Sequence, residues 1–191
     1  MNFSLIYLSV LIFFISCGTN QTLFREKDIK ANKVYERFEK GELKAIGEYS
    51  NEYLPFYNLR IGEWKDYYTN GNLKEVGKYE VGHYTNCCIT GPCENYYNYK
   101  TGEWKFYFES GKLKAKGNFN LEKFHIITSC EGGDEIIFGI VNQSWEFFDE
   151  KGNEIKPTEE LISSVEATKS NGDFPSLVMS VDKKKGQVIF K

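Results

Sequence analysis

The chain repeats itself. Residues 62–79 read GEWKDYYTNGNLKEVGKY, and residues 102–119 read GEWKFYFESGKLKAKGNF. Superposed without gaps, Trp64 meets Trp104, Gly71 meets Gly111, Leu73 meets Leu113 and Gly77 meets Gly117. An earlier partial copy at 34–49, VYERFEKGELKAIGEY, keeps Gly41, Leu43 and Gly47. A later decayed copy at 145–156, WEFFDEKGNEIK, keeps Trp145 and Gly152. The glycines at 41, 71, 111 and 152 lie 30, 40 and 41 residues apart. A unit this short cannot bury an apolar face alone, so its copies must stack on one another.

Each unit reads as a β-hairpin. A strand such as EWKFYF alternates charged and aromatic residues, and runs into a turn dipeptide: Asn70-Gly71, Ser110-Gly111 or Lys151-Gly152. Glycine supplies the positive φ that such turns need. A second strand of the LKAKGNF kind follows. Gly47, Gly77 and Gly117 recur inside it, and glycine within a strand marks a close approach. The expected occupant is an aromatic ring from the partner strand. Composition agrees with β-structure, with 3 Trp, 13 Tyr and 15 Phe against 4 Pro.

The pattern G-E-W-K-x-Y-Y/F-x-x-G-x-L-K-x-x-G-x-Y/F resembles the MORN-type repeat, in the variant found in bacterial proteins annotated in toxin–antitoxin contexts. The resemblance spans roughly residues 34–156. It implies a mainly β protein, an elongated antiparallel sheet of repeated hairpins. Trp64, Gly71, Gly77, Trp104, Gly111, Gly117, Trp145 and Gly152 are its defining residues. It also implies a non-catalytic scaffold with a macromolecular partner, because such repeats serve diverse partners.

Ahead of the repeats, Leu5 to Ile15 form an apolar run of 11 residues. A membrane span needs about 20, so the run matches the hydrophobic part of a secretory signal peptide. It ends at Ser16-Cys17-Gly18, which resembles the lipobox of bacterial lipoproteins. Phe14 and Ile15 stand where that family carries Leu and a small residue. The resemblance implies cleavage before Cys17 and lipid on its thiol and amino group. Ordinary cleavage after Gly18 is the alternative. Several acyl chains, at about 0.8 kcal/mol per buried CH₂, would anchor the chain stably.

Two connectors are long, 80–101 and 120–143. If every tight turn lies on one edge of the sheet, every connector lies on the opposite edge. That places the two inserts side by side. They hold the remaining cysteines: Cys87, Cys88 and Cys93 in one, Cys130 in the other. In an exported chain four cysteines read as two disulfides. Of the three connectivities, the vicinal Cys87–Cys88 bond is strained. The expected pattern is one bond from Cys87 or Cys88 to Cys93 and one across to Cys130. A four-thiolate zinc site would want C-x-x-C knuckles, which are missing. Thr85-Asn86 and Gly91-Pro92-Cys93 read as turns, and Glu131-Gly132-Gly133-Asp134 as an acidic hairpin tip. His83 and His125 read as unrelated loop or strand histidines.

Trp64, Trp104 and Trp145 fall in register, as do Tyr67, Tyr107 and Phe148 three residues later. Odd spacing along a strand sends the two rows to opposite faces. The Trp row is expected to be the core of a single-layer sheet. The alternative is an exposed ladder that grips an extended peptide or glycan. Glu63/Lys65 and Glu103/Lys105 read as solvated cross-strand pairs. After Lys156-Pro157, TEELISSVEATK (158–169) forms an amphipathic helix candidate capped by Thr158, with Leu161, Ile162 and Val165 on its apolar face. Leu177–Val181 and Gln187–Phe190, around Lys183-Lys184-Lys185-Gly186, read as a terminal hairpin.

The chain therefore divides into a signal peptide (1–16), a lipidated Cys17 and tether (17–30), hairpin repeats (31–156) and a helix and hairpin cap (157–191). With 24 Lys and Arg against 27 Asp and Glu, it is not built to bind nucleic acid. Two histidines exclude a multi-histidine metal centre. No phosphate loop, nucleophile elbow or H-E-x-x-H motif occurs, so no catalytic residue, cofactor or metal is assigned. The expected protein is a lipid-anchored, non-catalytic repeat scaffold of the bacterial cell envelope, at the outer membrane, with a protein or glycan partner. An antitoxin-like component and an unrecognised envelope hydrolase working through carboxylates are the alternatives.

Overall fold

A computed structural model of the protein describes residues 25–28, 33–50, 59–169, 178–182 and 187–190. The leader at 1–16, Cys17 and the Lys183–Gly186 turn lie outside the described residues. The fold is mainly β. Strands β1 (Arg25–Asp28), β2 (Lys33–Arg37), β3 (Leu43–Tyr49), β4 (Arg60–Tyr67), β5 (Leu73–Cys88), β6 (Gly91–Tyr107), β7 (Leu113–Ile126) and β8 (Asp134–Ile140) pair in chain order. Together they make one open antiparallel sheet, and β9 (Glu146–Phe147) joins β7 beside it. The tether expected over 17–30 overlaps β1. Arg25–Asp28 already pairs with β2.

The turns follow from their glycines. Gly71 N donates to Tyr68 O at 3.0 Å, and Tyr68 N to Asn72 O at 2.8 Å. Gly111, bonded in the same way to Phe108, shares the left-handed backbone, with φ of 84° against 85° at Gly71. This is a type I turn closed by a glycine bulge. The turns sit side by side on one edge. Asn70 and Asn72 both donate to Glu109 O, at 2.9 and 2.8 Å, and Lys112 donates to Glu150 O at 2.9 Å.

The strand glycines explain the tryptophans. A Cβ on Gly47 would collide with the Trp64 ring, one on Gly77 with Trp104, and one on Gly117 with Trp145. The ring comes from the following repeat, across the connector, and not from the glycine's own hairpin. Each indole Nε1 also donates to the carbonyl just after that glycine: Trp64 to Glu48 at 3.0 Å, Trp104 to Lys78 at 3.2 Å, Trp145 to Asn118 at 2.8 Å. The ladder slips at these places, between Ile46 and Glu48 and between Val76 and Lys78, so the carbonyl needs another donor. One residue pair thus joins each repeat to the next by packing and by a hydrogen bond.

The Trp row is core. Trp64 and Trp104 are fully buried, and Trp145 is 7 % exposed. Tyr49, Tyr79, Phe106, Phe119 and Phe147 fill the space between them. Tyr67, Tyr107 and Phe148 on the other face are half-buried. An exposed tryptophan ladder is ruled out by this packing. The surface charges also differ from expectation. Lys65 pairs with Glu63 at 3.4 Å and Lys105 with Glu103 at 3.0 Å, both along one strand. Residues two apart share a face, whereas Lys65 lies opposite Val76 and Ile46.

The inserts are not loops. β5 and β6 run on unbroken until Cys88 pairs with Gly91, around a turn at Ile89 and Thr90. Thr85 and Asn86, expected in a turn, are strand residues opposite Glu94 and Cys93, and Gly91-Pro92-Cys93 opens β6. Tyrosines and β-branched residues outweigh the local turn chemistry there. β7 and β8 extend in the same way. The ends of the two hairpins pack face to face through Tyr97, Tyr99, Ile126, Ile136, Phe138 and Ile140.

The C-terminal segment closes the Trp face. The short helix α1 (Glu159–Glu166) is capped by Thr158, whose Oγ1 accepts from Leu161 N at 3.2 Å. Val165 is buried against the tryptophans, and Leu161 and Ile162 pack beside it. The helix stops three residues before Lys169, where it was expected to end. Ala167 is extended, and Thr168 pairs with Met179. β10 (Thr168–Lys169), β11 (Val178–Asp182) and β12 (Gln187–Phe190) form a small antiparallel sheet.

Candidate binding surface

Two places concentrate chemistry: the charged side chains under α1 and the head made by the two inserts. Arg60 and Lys100 each stand eleven residues before a turn glycine. Both are buried over the tryptophan of their own repeat. The Arg60 guanidinium lies 4.0 Å from the Trp64 ring centre, and Lys100 Nζ 4.8 Å from that of Trp104. Arg60 grips Asp66 with two bonds of 2.6 and 3.0 Å and lies 3.6 Å from Glu36. Tyr49 donates to the same Glu36. The Asn98 side chain accepts from Arg60 N at 3.0 Å and donates to Arg60 O at 2.5 Å, standing in for a strand. Burial opposes the Arg60 charge, but Asp66 foremost, with Tyr79 and Glu36, keeps its pKa above the ordinary value. Lys100 donates to Val165 O at 2.8 Å, at the end of α1, and lies 3.9 Å from Glu75.

Sequence reading missed this cluster, although a signal was present. Glu36 and Asp66 occupy the position where later repeats carry Phe106 and Phe147. A carboxylate in a core position calls for a buried cation. These charges are matched and enclosed, so they hold repeats together rather than meet a ligand.

The head is different. The structure pairs Cys87 with Cys130, Cα atoms 4.9 Å apart, and Cys88 with Cys93, at 5.9 Å. Polar contacts reinforce the first bond. Cys87 N donates to Ser129 Oγ at 2.8 Å, and Ser129 N donates to Asn86 Oδ1 at 2.8 Å. Asp134 accepts from Thr85 N at 2.6 Å and from Glu135 N at 2.7 Å, which holds its carboxyl below the usual range. Tyr97 accepts from Ile137 N at 2.7 Å, and burial pushes its phenol up to about 12. His83 lies beside Tyr96, and His125 Nε2 is 2.8 Å from Gly132 O. Among the described residues no group of three or more His, Cys, Asp or Glu side chains forms a metal-ligand set.

Two large apolar side chains at this head face solvent, Ile89 at 108 % and Ile127 at 83 % relative exposure. Residues 84–97 and 124–136 carry Glu94, Glu131, Asp134 and Glu135, and Lys123 at their border pairs with Glu135 at 3.3 Å. The head is therefore apolar at its tip, acidic around it and cross-braced.

The family model of the MORN repeat variant matches residues 60–80 and 100–121. These are the two most complete hairpins, with Trp64, Gly71, Gly77 and Trp104, Gly111, Gly117. The head hairpins extend beyond the matched stretches. The repeats suggest a non-catalytic binding scaffold, and the family is generally non-enzymatic. No curated protein and no solved structure matches the chain.

Proposed function

We propose that the protein is a non-catalytic MORN-repeat scaffold held at the bacterial cell envelope, at the outer membrane, by lipid on Cys17. It binds a protein or glycan partner through the head. The observation that carries this reading is the division of labour in the sheet. The repeat face is closed by its own tryptophans and α1, whereas the head presents side chains that no repeat shares. The apolar run at Leu5 to Ile15 followed by Cys17 supports export and anchoring.

Fractionation of cells making the full chain tests the anchor. Cys17→Ala is expected to release the protein from membranes or leave the leader attached. A variant that partitions and migrates like the parent overturns the lipid anchor and leaves the scaffold reading to be judged by its partner.

A further inference from the structure

The strand register carries the argument further, resting on the lipid-anchored reading. Arg25, the first residue of β1, pairs with Glu36 beside the Gly41 turn, and Asp28 pairs with Lys33 towards the connectors. The chain thus enters the sheet at the edge where the tight turns lie. The head projects from the opposite edge. β5 alone has 16 residues between its tight-turn end and the head, which at about 3.3 Å each is about 50 Å. From Cys17 to Arg25 the chain reaches at most about 28 Å.

We infer that the head faces away from the membrane and docks a positively charged protein surface, with Ile89 and Ile127 seated in a shallow apolar recess of that partner. Several observations converge on this partner. Ile89 and Ile127 are the most exposed large apolar side chains among the described residues, and both belong to the head. The hairpin ends that carry them hold Glu94, Glu131, Asp134 and Glu135, of which Glu135 pairs with Lys123 at 3.3 Å, so the head keeps an acidic excess and its complement is a cationic surface. A phospholipid surface fits poorly, since the anchored edge is the far one and an acidic rim is repelled by anionic headgroups. The two disulfides and the Asn86–Ser129 bonds order the head before binding, which lowers the entropy cost of docking.

The test uses the full-length chain in membranes, with the photoreactive residue p-benzoylphenylalanine at position 89 or, as reference, at position 70 on the tight-turn edge. Light is expected to join position 89 to protein and position 70 to lipid. The double variant Glu94→Lys/Glu131→Lys is expected to cut the protein adduct at least tenfold, as is Ile127→Ser. Non-reducing electrophoresis checks that both variants keep their disulfides. Lipid or glycan adducts at position 89, no protein adduct there, or a protein adduct indifferent to charge reversal each overturn the inference. Cys17→Ala separates the two readings. Loss of the lipid adduct at 70 with the charge-sensitive adduct at 89 intact means that the docking surface stands independently of the anchor.

Discussion

At the scale of single residues, glycine does two different jobs that one-letter code does not distinguish. A Cβ at Gly71 meets nothing within 4 Å, so the only penalty of Gly71→Ala is its φ of 85°. That penalty is about 1–2 kcal/mol. Gly77 has an ordinary strand position, but the Trp104 ring lies on it. Gly77→Ala is expected to lose about 3 kcal/mol or more, at the upper end of overpacking effects, because the ring must leave its pocket and drop its bond to Lys78 O. Chemical denaturation of both variants ranks them, and a Gly77→Ala protein no weaker than Gly71→Ala contradicts the packing. Arg60 poses a second test. Arg60→Met strands Glu36 and Asp66 in the core, with an expected loss of about 3–5 kcal/mol. Adding Glu36→Gln and Asp66→Asn is expected to recover most of it, by the same measurement.

At the scale of elements, the insert hairpins have no repeat pattern to hold them, so cross-links and edge contacts act instead. The Cys87–Cys130 bond closes a separation of 43 residues, and Cys88–Cys93 one of 5. By chain entropy these contribute about 4 and about 2 kcal/mol. Replacing Cys87 and Cys130 by Ser is therefore expected to lower the melting temperature more than replacing Cys88 and Cys93. Asp134 adds a pH dependence. Bonds from Thr85 N and Glu135 N, then the Thr85 side chain and His83, depress its pKa, so its stabilising effect is present above the unfolded value and fades as pH falls through the folded one. The loss falls below about pH 4. Asp134→Asn is expected to remove that acid-side loss while lowering stability at pH 7. An unchanged difference between the two proteins from pH 7 to 3 contradicts the assignment.

At the scale of the whole molecule, an open repeat sheet must close one face and protect two edges. The face is closed by α1, with Val165 among the tryptophans and its carbonyl on Lys100. One edge begins with the charged β1, Arg25–Asp28. The fourth repeat ends the other side, where Pro157 interrupts the chain ahead of α1. Truncation after Lys156 is expected to expose the Trp face, raise binding of the apolar dye ANS and broaden thermal unfolding. A truncated chain that melts as sharply as the parent, without dye binding, contradicts the role given to α1.

Hairpin order, the left-handed turns and the capped helix were legible in the sequence because each rests on contacts within a dozen residues. Gly71, Gly111 and Thr158 act through their own backbone neighbours. The association of Trp with Gly was legible too, but not which repeat supplies the ring, since Trp64 lies 13 residues from Gly77 and 17 from Gly47, and the ring packs on the more distant one. Arg60 meets Glu36 only because β2 and β4 both border β3, a distance that periodicity does not encode. Thr85-Asn86 and Gly91-Pro92 carry turn chemistry, which pairing between β5 and β6 overrides, so their place in strands was not legible. Local conformational preference and repeat phase therefore determine the scaffold from sequence alone. The buried charge network, the stacked head and its exposed Ile89 and Ile127 are decided by tertiary structure, because they depend on which faces distant strands turn towards each other.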